Sequence, residues 1–149
     1  MSTKVRIKVH QGQGRSETKP QKGEGMKVAF ATKDLEMIND HFGWAKQFAI
    51  YSITKEGYEL VEVVKTEEDH EEEDNKIKSK IEAIGDSAIM YCEAIGPTAA
   101  AKVVRSRIHP MKVKEPTRIE DAAQQLVQML NGNPPPWIRR ILAQEESNG

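Results

Sequence analysis

Apolar positions along this chain fall into short blocks that become regular from Met26 onward. Lys27-Val28-Ala29-Phe30-Ala31-Thr32 reads as a buried strand, and Phe48 to Ile53 and Tyr58 to Val64 as two more. Lys55-Glu56-Gly57 between the latter two suits a tight hairpin connection. Ile77, Ile81 and Ile84 recur at helical spacing and Gly85 closes that helix. Ala88 to Cys92 is a short buried strand. Gly96-Pro97-Thr98 then opens a helix, with proline at the first turn where its missing N–H costs nothing. Ala99, Ala100, Val103 and Val104 supply its apolar face. Ile108 to Val113 is a last strand, and Pro110 makes it an edge strand or an irregular one. Thr117-Arg118-Ile119-Glu120 has the spacing of a capping box. Ile119, Ala122, Ala123, Leu126, Val127 and Leu130 follow at helical spacing up to Gly132.

The predicted order is β-β-β-α-β-α-β-α. Three strands joined by short links form an antiparallel meander. Strands alternating with helices need right-handed crossovers and pair in parallel. The expected fold is α/β and ribonuclease H-like: a mixed five-stranded sheet with helices on both faces. Residues 1–25, with glycines at 12, 14, 23 and 25, read as a flexible N-terminal tail. Within it Val5, Ile7 and Val9 alternate with Arg6 and Lys8, so a short edge strand is the alternative. The domain is expected over 26–142, with a disordered C-terminal tail at 143–149.

Composition narrows the function classes. The chain has 149 residues, 30% of them charged, and a formal net charge of −1, so no bulk basic field attracts nucleic acid or membrane. No apolar run approaches a membrane span, and no apolar signal core follows the first residues. A cytoplasmic monomer is expected. A single cysteine excludes an internal disulfide and a self-contained four-cysteine metal cage. Glu67 to Asp74 is an acidic surface run without the ligand alternation or internal glycine of a calcium loop.

No Ser/His/Asp order, nucleophile elbow, zincin helix or Walker loop occurs. The first strand carries no carboxylate, which argues against two-metal phosphoryl chemistry on this topology. Metal ligands at loop ends remain. His41 in Asp40-His41-Phe42-Gly43 can offer one ring nitrogen to a metal while Asp40 accepts from the other, and Gly43 allows close backbone approach. His41 can equally pack a turn. Cys92 ends a strand, where α/β sheets gather ligands, or it is a small core residue. His109 stands among Arg105, Arg107, Lys112 and Lys114, which suit an anionic ligand or a solvated edge. His10 and His70 read as exposed.

Several segments recur together in one order. They are Met26 to Thr32, Asp40-His41-Phe42-Gly43, Phe48-Ala49-Ile50-Tyr51, Gly85-Asp86, Tyr91 to Gly96, Ile108 to Val113 and Pro134-Pro135-Pro136-Trp137. This set resembles the nitrogenase iron–molybdenum cofactor biosynthesis family of NifX, NafY and the NifB C-terminal domain, across about Met26 to Leu142. The resemblance implies a non-enzymatic carrier. Such a protein binds, stores and transfers the iron–sulfur precursor of the iron–molybdenum cofactor, passing it between a NifB-type enzyme and the NifEN scaffold. It implies His41 as a cofactor ligand, with Cys92 as a second metal ligand and His109 and Gly43 as further cofactor-binding residues. An adaptor or regulator of nitrogenase maturation that holds no cluster is the alternative, with the acidic run and Pro134 to Trp137 as its surfaces.

Overall fold

The computed structural model describes residues 4–8, 25–66 and 73–148. In chain order these form β1 (Lys4–Lys8), β2 (Met26–Ala31), β3 (Met37–Ile38), a 3₁₀ turn (Phe42–Trp44), β4 (Gln47–Thr54) and β5 (Gly57–Thr66). There follow α1 (Glu73–Ala83), β6 (Ile89–Cys92), α2 (Pro97–Arg105), β7 (His109–Lys112), β8 (Thr117–Arg118), α3 (Ile119–Asn131) and α4 (Pro136–Asn148). The main sheet runs β1-β5-β4-β2-β6-β7. β2, β4 and β5 make the expected antiparallel meander, while β6 pairs parallel to β2 and β7 parallel to β6.

The five expected strands and their mixed pairing are present, and a sixth is added. β1 pairs antiparallel with β5, from Lys4 opposite Thr66 to Lys8 opposite Glu62. The flexible-tail assignment of 1–25 therefore fails at Lys4–Lys8, where the alternation of Val5 and Ile7 with charged residues wins. Similarly, α4 continues to Asn148, past the boundary expected at Leu142. His10, the glycines at 12 and 14, His70 and residues 67–72 of the acidic run lie outside the described residues.

Both sheet faces are apolar, which is why the central strands read as continuous apolar runs rather than alternating ones. Met26, Val28 and Phe30 face one side with Tyr51, Ile53 and Tyr91, under α3 (Ala122, Leu126, Leu130) and α4 (Ile138, Ile141). Phe30 stacks on Tyr91 at 5.1 Å and meets Tyr51 edge-on at 5.4 Å. Ala29, Ala31, Phe48, Ile50, Met90 and Cys92 face the other side, under Ile77 and Ile84 near α1 and Ala99 and Val103 of α2. As Pro110 requires, β7 is an edge strand.

The expected capping box does not form. Thr117 and Arg118 are extended as β8, paired with β3, and α3 begins at Ile119 with no side-chain cap. The Thr117 hydroxyl donates to the Glu115 carbonyl at 2.9 Å instead. The Ile119 N–H donates to the Glu36 carbonyl at 2.9 Å, so the small β3–β8 ladder supplies one partner that a capping side chain would otherwise give. Among the described residues, no helix is long and apolar enough to cross a membrane.

Candidate functional site

The parallel strands β2 and β6 end at the same edge of the sheet, and two loops meet beyond it. The loop after β2 is braced from within. The Asp34 carboxylate accepts the N–H groups of Glu36 and Met37, each at 3.0 Å, and these bonds hold its pKa below the ordinary value. The Thr32 hydroxyl accepts from the Leu35 N–H at 2.9 Å, and Asn39 Oδ1 from the Lys33 N–H at 2.9 Å. Gln47 Nε2 donates to the carbonyls of Thr32 and Lys33, each at 3.2 Å, tying the loop to β4.

The segment carrying His41 is zipped to the residues that follow β6. His41 and Ala94 form a parallel bridge. The Glu93 N–H donates to the Asp40 carbonyl at 2.9 Å, and the Phe42 N–H to the Ala94 carbonyl at 2.8 Å. Phe42 is fully buried beneath, a contribution of about 1.5–3 kcal/mol that anchors the turn. His41 itself is half-buried. Its ring lies parallel to that of Trp44, with centroids 4.1 Å apart and 4° between planes. Trp44 is 67% exposed, so this pair stands at the molecular surface.

Asp40 plays a different part from the one expected. Its buried carboxylate accepts the His41 backbone N–H at 2.9 Å, so it holds the main chain rather than orienting the imidazole. Gly43 lies in the 3₁₀ turn; the described glycine with a positive φ is Gly57, in the β4–β5 hairpin. Beside Trp44 opens a cleft of about 470 Å³ lined by Thr32, Lys33, Asp40, Trp44, Lys46 and Gln47. Lys33 and Lys46 give it two exposed cations.

Cys92 is near this edge in sequence but not at its surface. It is 0% exposed and belongs to the core under α1 and α2. Burial pushes its thiol up to about 11, against the opposing pull of the Ala94 and Phe42 N–H groups and the Lys112 ammonium. At neutral pH and without metal it is therefore a thiol. His109 lies at the other end of the sheet. It opens β7 opposite Ile89, whereas Cys92 stands opposite Lys112. Three residues of strand, about 10 Å, separate the two levels. His109 therefore stands apart from the other two, while Cys92 lies buried beneath the His41 loop with the Phe42 and Ala94 N–H groups directed at its sulfur. No group of three or more His, Cys, Asp or Glu side chains suited to a metal ion occurs among the described residues.

Trp44, Lys33 and Lys46 escaped the sequence reading. Trp44 was open to inference: residues three apart eclipse in a 3₁₀ turn, so His-x-x-Trp stacks its rings. Pro134 to Trp137 is not a free docking strip. Pro136 and Trp137 start α4, and Trp137 packs against the core and stacks on His109 at 4.6 Å.

The family model described as dinitrogenase iron-molybdenum cofactor matches residues 25–129. The chain is 42% identical over 126 residues to protein NifX of Herbaspirillum seropedicae, covering 83% of this chain and 86% of that one. It is 36% identical over 135 residues to protein NifX of Sinorhizobium fredii, covering 86% and 84%. Protein NifY of Klebsiella pneumoniae is 34% identical, over 77% of this chain and 50% of that longer one. Among solved structures, the crystal structure of PH0822 superposes with a TM-score of 0.54 at 22% identity, covering 69% of this chain and 90% of that one, which supports the fold.

Proposed function

The chain belongs to the dinitrogenase iron–molybdenum cofactor family, with a role in nitrogenase cofactor biosynthesis, and on that footing we propose that it is a non-enzymatic carrier. Its cargo in this proposal is the iron–sulfur precursor of the iron–molybdenum cofactor. It receives that cargo from a NifB-type enzyme, stores it, and passes it to the NifEN scaffold. One observation carries the assignment: a half-buried imidazole, His41, is held on a rigid zipped loop beside an open cleft that presents Lys33 and Lys46.

The donor set suits a cargo that must leave. One imidazole from the protein, with lysines attracting an anionic cluster through solvent, gives a grip without the full thiolate cage that retains a resident cluster. The Trp44 face fixes the imidazole plane and shields one side of it, a contact of about 0.5–1.5 kcal/mol. The N-terminus of α2, capped at Gly96 by no side chain, lies at the same sheet edge and adds its favourable end to an anion's field. Cys92 stays in the core in this assignment.

The experiment is an anaerobic titration of purified protein with the NifB-derived precursor, read by absorption and by iron counting after desalting. Wild type takes up iron and colour. His41→Ala, with an unchanged melting temperature, loses at least about tenfold in affinity, the cost of one ligand contact of ~1.4 kcal/mol or more. Equal iron uptake by that variant refutes the site. Colourless protein that still co-purifies with the scaffold refutes the carrier role and favours an adaptor acting through the exposed Trp44 face.

A further inference from the structure

The end of the sheet away from His41 carries a second polar cavity. It holds about 140 Å³, several times the ~30 Å³ share of one water, between the end of α2 and the start of α4. Its walls are Arg107, Arg140 and His109, with Val104, Ile108, Trp137 and Ile141 as an apolar floor. No carboxylate lines it, and among the described residues no acidic side chain pairs with Arg107 or Arg140.

One of the two cations is held in an unfavourable backbone conformation. Arg107 sits at φ 67°, a left-handed conformation that glycine normally supplies at the end of a helix. The geometry is enforced by the Arg107 N–H donating to the Val104 carbonyl at 2.9 Å and the Ile108 N–H donating to the Val103 carbonyl at 3.1 Å. A side chain kept where glycine would relieve strain points to a use for that side chain. Arg140 lies in the second turn of α4, and the first turn contains no acidic residue to pair with it. Between them, the His109 ring is set flat against Trp137, 18° from parallel. The Ile138 and Arg139 N–H groups donate to the Pro135 carbonyl at 3.0 and 3.1 Å, and Arg139 Nη2 donates to Asn133 Oδ1 at 2.6 Å, so the turn carrying Trp137 is itself braced.

We propose that this cavity is a binding site for a small multivalent oxyanion, a phosphate or a short polycarboxylate, taken by the Arg107 and Arg140 guanidiniums with His109 as a third donor. Guanidiniums pair with planar or tetrahedral oxyanions through two parallel N–H bonds, and an anion between them removes their mutual repulsion. The site lies at the opposite sheet edge from His41 and does not depend on the carrier assignment.

The test uses Trp44→Phe protein, in which Trp137 is the sole tryptophan and reports on the cavity directly. Inorganic phosphate and succinate are titrated separately against chloride at matched ionic strength, with Trp137 fluorescence and melting temperature as readouts. At least one of the two anions changes both signals saturably, and the stronger of the two identifies the ligand chemistry. Adding Arg107→Gly relieves the backbone strain and raises the melting temperature of the free protein, while weakening the anion at least tenfold. Arg140→Gln also weakens it at least tenfold, and adding His41→Ala leaves it unchanged. Responses to phosphate and succinate no larger than to chloride overturn the site, as does equal affinity in the Arg107→Gly and Arg140→Gln proteins.

Discussion

Alkylation of Cys92 distinguishes a core thiol from a cargo ligand. An ordinary thiol loses its proton near 9.0, and burial moves that of Cys92 to about 11. At pH 8 the thiolate fraction therefore falls from about 9% to about 0.1%, roughly a hundredfold, before steric exclusion is counted. The side chain is also 0% exposed, so iodoacetamide reaches it only when the region opens. Labelling of native protein at pH 8, followed by intact mass, is expected to run at least a hundredfold slower than labelling of the same protein in urea. A linked stability effect follows. The unfolded chain ionises first as pH rises, so this group's contribution is intact below about pH 9 and is lost between about 9 and 11 at about 1.4 kcal/mol per pH unit, ~3 kcal/mol in all. Cys92→Ala removes that slope, costs about 1–2 kcal/mol for the lost sulfur and the gap it leaves, and keeps cargo uptake unchanged. Native labelling as fast as in urea, or loss of iron uptake in Cys92→Ala at unchanged fold, would show that the sulfur faces the cargo and refute this account.

Leu126→Ala, in the fully buried stripe of α3, is expected to lower unfolding stability by about 2–5 kcal/mol in urea denaturation, with no change in secondary structure. Burial and the Arg140 charge lower the pKa of His109, so the unfolded chain takes up the proton first; stability is full above about pH 6.5 and declines as pH falls through that value. His109→Phe should flatten that decline in melting temperature, and an unchanged slope would locate it elsewhere. Replacing Lys33 and Lys46 together by glutamine should weaken the iron–sulfur precursor by about 0.5–1 kcal/mol per charge and shallow the salt dependence of binding. An identical salt profile would show that the cleft's charge does not act on the cargo.

The legible part of the fold is the part written in local periodicity. The strands at Met26–Ala31, Gln47–Thr54 and Ile89–Cys92, the proline-led start of α2 and the repeat along α3 follow from short-range patterns that burial on both sheet faces reinforces. The capping box failed because Thr117 and Arg118 had a distant competitor, the β3 backbone, for their hydrogen bonds. β1 belongs to the sheet because the edge of β5 lay open to it, a fact of assembly and not of the tail's glycine-rich composition. At the site, the residue type and loop position of His41 were readable. Its companions were not, because Lys33 and Lys46 meet Trp44 only after the hydrogen bonds of Gln47 and the Ala94 bridge draw their loops together.

By itself, the sequence determined an α/β domain with a mixed sheet, a single cysteine that excludes a thiolate cage, and a set of ordered motifs around His41. Tertiary structure alone decided where the ligand candidates stand relative to one another. Parallel pairing of β6 with β7 puts Cys92 level with Lys112 and His109 level with Ile89, sending the two candidates to different ends of the sheet. Side-chain alternation along β6 turns Cys92 inward beneath α1 and α2, where desolvation keeps it a thiol. Register and facing arise from pairings between segments far apart in the chain, and no local pattern encodes them.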